Sequence, residues 1–114
     1  MITLKGVDPR MIANNLEPYE PIHPGEMIKE EIEYRGLSQK KLAAQTGISY
    51  TVLNEVLNGK RSVSTEYALL LEAALGIEAD IWIKAQAEYD KLVAKRNKTF
   101  AKRLENVRKV AAML

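Results

Sequence analysis

The chain has 114 residues, with 17 basic and 15 acidic side chains, one histidine and no cysteine. Its length suits one compact domain, and 46% hydrophobic with 28% charged residues is neither a disordered nor a fibrous composition. Lack of cysteine excludes disulfides, thiol nucleophiles and thiolate metal sites, and one histidine cannot build a multi-histidine metal centre.

No apolar run nears the ~20 residues of a membrane span, and the N-terminal residues 1–10 lack a signal peptide's apolar core. The expectation is a small cytoplasmic binding module, not an enzyme, with no cofactor and no metal. Its charge is uneven. Residues 1–90 carry 9 basic and 14 acidic side chains, a net of −5, whereas residues 91–114 carry 8 and 1, a net of +7. The basic end suits nucleic acid or an acidic surface, or it is a solvated helix face.

In chain order, residues 1–20 read as an arm. Asp8-Pro9 can start a short helix over residues 8–15, and residues 2–4 are the one stretch suited to a strand. All four prolines fall within residues 1–25, and those at 18, 21 and 24 keep the preceding residues extended. Pro24 opens a helix carrying Met27, Ile28, Glu31, Ile32 and Tyr34 that stops at Gly36. Ser38 caps a short helix with Leu42, Ala43 and Ala44 that ends at Gly47. Ser49 caps another over residues 50–58, closed by Gly59. Ser64 begins a helix with Ala68, Leu69, Leu71 and Leu75 that ends at Gly76. A long amphipathic helix starts near Asp80, with Ile81, Trp82, Ala85, Tyr89 and Leu92, and breaks at Asn97-Lys98. Without sustained period-two alternation or hairpin turns, the fold class is all-α.

Residues 38–59 carry the functional signal. Two short helices flank Thr46-Gly47-Ile48, the spacing of a helix-turn-helix, whose second helix enters the DNA major groove. Gly47 supplies the positive φ of the turn, and Ala43 is small where the helices cross. On a helical wheel at about 100° per residue, Val52, Leu53, Val56 and Leu57 fall on one side. Tyr50, Thr51, Asn54, Glu55 and Asn58 fall on the other. That second face has no lysine and is rich in groups that bond base edges: asparagine to adenine, threonine to a thymine methyl, glutamate to cytosine. Tyr50, Thr51, Asn54 and Glu55 are therefore the candidate base readers. Ser38, Gln39, Ser49, Asn58, Lys60 and Arg61 stand at helix starts or just beyond the second helix, where backbone phosphates are met.

The run Leu37-Ser38-Gln39-Lys40-Lys41-Leu42-Ala43, then Thr46-Gly47-Ile48, then Leu57-Asn58-Gly59-Lys60-Arg61 closely resembles the phage-repressor, or Xre, type of helix-turn-helix. Upstream Pro21-Ile22-His23-Pro24-Gly25-Glu26, with downstream Leu75-Gly76-Ile77 and Ile81-Trp82-Ile83-Lys84-Ala85-Gln86, narrows the resemblance to HigA-type antitoxins. The likeness covers about residues 21–92. It implies a five-helix repressor-like domain at 21–95, an N-terminal arm at 1–20 and a basic C-terminal helical extension at 96–114. It also implies a homodimer on double-stranded operator DNA, a RelE/HigB-like mRNA-cleaving toxin as partner, and repression of the shared operon. The arm and the long basic tail depart from the family pattern.

The remaining features have plainer readings. His23 is a cap or packing residue, and Trp82 belongs to the core. Glu26, Glu30 and Glu33 share a helical face that is solvated, or that docks a basic toxin together with Asp8, Glu17 and Glu20. Phe100, Leu104, Val107, Ala111 and Leu114 recur in steps of four and three, a coiled-coil-like seam. Two heptads are too short to stand alone in water, so the seam packs on the domain, a second copy or a partner; the alternative is a basic helix along phosphate. Two other functions stay open: a stand-alone repressor of the same fold, and an interaction adaptor that has kept the scaffold without reading DNA.

Overall fold

The computed structural model describes residues 20–114, which form six α-helices. They are α1 (Pro24–Arg35), α2 (Gln39–Thr46), α3 (Tyr50–Leu57), α4 (Thr65–Leu75), α5 (Ala79–Arg96) and α6 (Lys98–Met113). Among the described residues there is no strand, so the all-α expectation holds, with six helices in place of five. The strand at residues 2–4 and the short helix at residues 8–15 lie outside the described residues.

The helices start and stop where local chemistry directs them. Ser38, Ser49 and Ser64 each accept a hydrogen bond from the backbone N–H three residues on, at 3.1 Å in all three cases. Each such cap contributes about 1 kcal/mol relative to alanine. Gly36, Gly47 and Gly76 end α1, α2 and α4 in the left-handed conformation. The start of α5 is capped from a distance, since its N-cap Glu78 makes no side-chain bond. Glu72 on α4 supplies the acceptor for the Ala79 N–H instead, at 2.9 Å.

One apolar cluster joins the first five helices. Ile28 and Ile32 come from α1, Leu42 and Ala43 from α2, Leu53, Val56 and Leu57 from α3, Ala68, Leu71 and Leu75 from α4, and Trp82 from α5. Ile48 and Val63 enter it from the connections. Full burial of a leucine or isoleucine is worth about 1.5–3 kcal/mol, so this cluster holds the helices at fixed crossings. Helix α3 packs on α1 and α2, α4 on α2 and α5, and α5 also on α1.

Helix α6 differs. It packs against α5 but buries no residue. Phe100 is 41% exposed, and Val107 and Val110 are each 58% exposed. The break before it falls at Asn97, which ends α5 through its N–H and starts α6 by accepting from the Phe100 N–H at 2.9 Å. Of the partners open to its apolar seam, its own domain covers little.

Helices α1 and α3 cross with their backbones in close approach. A Cβ on Gly25 would stand 1.8 Å from the Val56 carbonyl oxygen, far inside van der Waals contact. Gly25→Ala is therefore expected to push α1 off α3 and cost at least about 3 kcal/mol. Thermal unfolding followed by circular dichroism is expected to show a Tm lower by more than about 10 °C.

Candidate nucleic-acid interface

The α2–turn–α3 unit is held by its own side chains. Thr46 is buried; its hydroxyl donates to the Leu42 carbonyl at 2.9 Å and accepts from the Ile48 N–H at 3.2 Å. One threonine thus ties the last turn of α2 to the residue that begins the descent into α3. Leu53, Val56 and Leu57 are at most 1% exposed, as the wheel predicts for the inner face. The opposite face of α3 is left to solvent.

On that face Tyr50 is 53% exposed and Thr51 is also exposed. Asn54 and Glu55 are half-buried because neighbours hold them. Asn54 Nδ2 donates to Gln39 Oε1 at 3.0 Å, bridging α3 to the first residue of α2. The Gln39 amide nitrogen remains a donor, and Asn54 keeps a second N–H, while its side-chain oxygen accepts from Asn58 Nδ2 at 3.3 Å with one lone pair left over. Glu55 Oε1 pairs with Arg61, at 2.9 Å from Nε and 2.7 Å from Nη2. The pair is exposed, so it contributes only about 0–1 kcal/mol and exchanges readily for other partners.

The end of α3 fixes the loop that follows. Gly59 lies at φ 74, its N–H donates to the Val56 carbonyl, and the Lys60 N–H donates to the Glu55 carbonyl at 2.8 Å. This is a Schellman closure, which a left-handed glycine permits at little cost. It sets Lys60 and Arg61 at the edge of the reading face, with Lys60 exposed. Asn58 Nδ2 donates to the Asn54 carbonyl at 2.8 Å, and Asn58 Oδ1 accepts from Lys29 Nζ at 3.2 Å. The structure therefore gathers Gln39, Asn54, Glu55, Asn58 and Arg61 into one hydrogen-bonded surface. Ser38 and Ser49 spend an oxygen lone pair on their caps and retain the hydroxyl proton as a donor. Lys29 is an added cation at this surface; only the α1–α3 packing reveals it.

His23 lies beneath the same loop. It is 3% exposed, and its Nδ1 accepts from the Gly25 N–H at 2.9 Å, capping α1 as the sequence suggested. Its ring meets Tyr89 edge-on, with centroids 4.9 Å apart. Burial lowers the His23 pKa below its ordinary value of 6.5. The carboxylates of Glu26 and Asp90 and a hydrogen bond with the Arg61 backbone oppose that shift. Trp82, 3% exposed, is a core residue as expected. Glu26, Glu30 and Glu33 are all exposed, and among the described residues no group of three or more metal-binding side chains converges. No described helix is long and apolar enough to cross a membrane.

Residues 28–82 match the helix-turn-helix family. Virulence-associated protein I of Dichelobacter nodosus is 35% identical over 78 residues, which span 68% of this chain and 72% of that protein. An addiction module antidote protein of the HigA family from Coxiella burnetii superposes with a TM-score of 0.68 at 33% identity, covering 76% of this chain and 94% of that one. The Pseudomonas aeruginosa antitoxin HigA, solved with the higBA promoter, gives 0.69 at 27% identity with the same coverage. The fold and its outward-facing second helix thus define a DNA-binding helix-turn-helix protein of the Xre type. Within that type, the chain belongs to the HigA-type antitoxin family.

The buried histidine makes stability depend on pH. Because the folded-state pKa lies below the unfolded value, the unfolded chain takes up the proton first on acidification. Stability is expected to be level above about pH 7 and to fall as the pH drops below about 6.5, the range in which this side chain titrates. Urea unfolding at a series of pH values checks this; a free energy unchanged between about pH 7.5 and 5.5 contradicts it.

Proposed function

We propose that the chain is a sequence-specific antitoxin that binds its own operator and neutralises a RelE/HigB-like mRNA-cleaving toxin. The observation that carries the DNA half is the outer face of α3. It combines exposed hydrogen-bonding side chains with a cationic loop fixed at one end and two capping serines at the helix starts. Residues 21–95 form the reading domain. Tyr50, Thr51, Asn54 and Glu55 read base edges, while Ser38, Gln39, Ser49, Asn58, Lys60 and Arg61 hold backbone phosphate. A homodimer places two such helices about 34 Å apart, one turn of the duplex, on a near-palindromic operator. The toxin half is supported by the family membership and by the exposed acidic stripe Glu26, Glu30 and Glu33 on α1, which suits a basic partner. Such a protein works in the cytoplasm on the nucleoid and performs no catalysis of its own.

Asn54→Ala is expected to weaken operator binding by about 1–3 kcal/mol and to relax preference at one base pair. Gel shifts on operators varied one position at a time read this; equal loss on every duplex contradicts a reading role. Lys60→Ala is expected to weaken all duplexes alike and to reduce the salt slope by about one. Glu55→Gln removes a carboxylate beside the duplex and frees Arg61. It is expected to raise affinity for unrelated DNA while lowering the operator-to-random ratio. Co-expression with the neighbouring small reading frame tests the toxin half. Growth rescue and co-purification support it, whereas a harmless, non-binding neighbour leaves a stand-alone repressor.

A further inference from the structure

The loop after α3 is held from below by groups that belong to neither helix of the reading unit. His23 caps α1 through Nδ1, and because the Gly25 N–H is a donor, that nitrogen carries no proton. In the neutral ring the proton therefore sits on Nε2, which is the atom able to donate to a backbone carbonyl, and the Arg61 backbone lies near enough to raise the ring's pKa. The loop also rests directly on this side chain: a Cβ on Gly59 would meet His23 Cβ at 3.5 Å and Cγ at 3.6 Å. Tyr89 packs edge-on against the ring and fixes its orientation. Two residues further on, the Val63 N–H donates to Gln86 Oε1 at 2.8 Å, and Gln86 Nε2 donates to Asp90 Oδ1 at 2.9 Å. The exposed Glu55–Arg61 pair and the exposed Lys29–Asn58 bond at the start of the loop contribute little rigidity.

We infer that His23 is a positioning residue for DNA binding, its buried ring tying residues 59–61 down so that Lys60 and Arg61 meet phosphate without first being ordered. This rests on the DNA-binding reading above. A loop fixed beforehand avoids the conformational entropy that a loose one loses on binding. The device is also sensitive to protons. A second proton on Nδ1 sets a donor against the Gly25 N–H and removes the cap, which loosens the ring over the loop. The charged and titratable groups facing the ring are Glu26 on α1 and Asp90 and Tyr89 on α5; Arg61 acts on it through its backbone alone.

Two substitutions separate the ring's two bonds. His23→Asn keeps a short acceptor at a capping position, while its amide is too short to reach Arg61. His23→Gln places an N–H near the position of Nε2 but is a poor cap. The wild-type chain and both variants are titrated with a duplex of the upstream region at several salt concentrations and at about pH 7.5 and 5.5, on either side of the histidine range. Exchange of the Gly59 and Lys60 amides is followed by NMR in the same samples. His23→Asn is expected to lose roughly tenfold in affinity with unchanged base preference, a flatter salt slope and faster loop exchange. His23→Gln is expected to keep the wild-type slope, and only the wild type is expected to weaken further at the lower pH. His23→Asn with wild-type affinity and exchange overturns the inference, as does His23→Gln losing as much as His23→Asn. If His23→Asn does not fold, the His23→Gln comparison and the wild-type pH profile decide. A wild-type chain that binds no upstream duplex overturns the DNA reading instead, and the amide exchange alone then decides whether His23 holds the loop.

Discussion

Gly25 and the carbonyl of Val56 approach so closely that nothing larger than hydrogen fits between them. This backbone contact sets how α3 sits on α1. With α1 pressed onto the end of α3, Ile28 and Ile32 from one helix and Leu53, Val56 and Leu57 from the other share a single apolar cluster. Among the described residues the remaining side of α3 meets no second apolar layer, and Tyr50, Thr51 and Asn58 on it are exposed. The same approach brings Lys29 to Asn58 and sets the His23 ring under Gly59. The inner face, the loop and the cation beside it thus follow from one short distance.

The outer face is organised before any ligand arrives. Gln39, Asn54, Asn58 and Lys29 form a continuous run of side-chain hydrogen bonds, and Glu55 holds Arg61 beside it. Each bond is individually weak because water competes for its partners. Together they restrict rotamers that a duplex would otherwise have to fix, yet each can be exchanged for a base edge or a phosphate. Order on this face and the ability to bind another molecule are compatible because no buried charge has to be broken.

The order and limits of the described helices were largely legible in the sequence, because their signals are local. Ser38, Ser49 and Ser64 accept from amides three residues ahead, and Gly36, Gly47 and Gly76 close helices in the left-handed conformation, each bonding a carbonyl three or four residues back. The division of α3 into an inner and an outer face was legible for the same reason. The contacts that shape the interface were not. Asn54 to Gln39 spans 15 residues, Val63 to Gln86 spans 23, and Asn58 to Lys29 spans 29. Such pairs depend on helix crossings that no periodicity encodes. His23 was readable as a cap because it precedes Pro24 and Gly25, but its contact with Tyr89 depends on where α5 lies. The count of helices rose from five to six through α6, whose seam was visible although its cover was not.

Trp82 is the only tryptophan in the chain, and it sits in the core at 3% exposure on α5. Helix α6 contains neither tryptophan nor tyrosine. The molecule therefore carries one indole, placed in the core of its helix-turn-helix domain, and neither an indole nor a phenol in α6. Emission from that indole reports the integrity of the helices that present α3, while the C-terminal helix can be truncated, covered or bound with little optical interference. Through one buried side chain the molecule has an indole label in its core and none on its C-terminal helix.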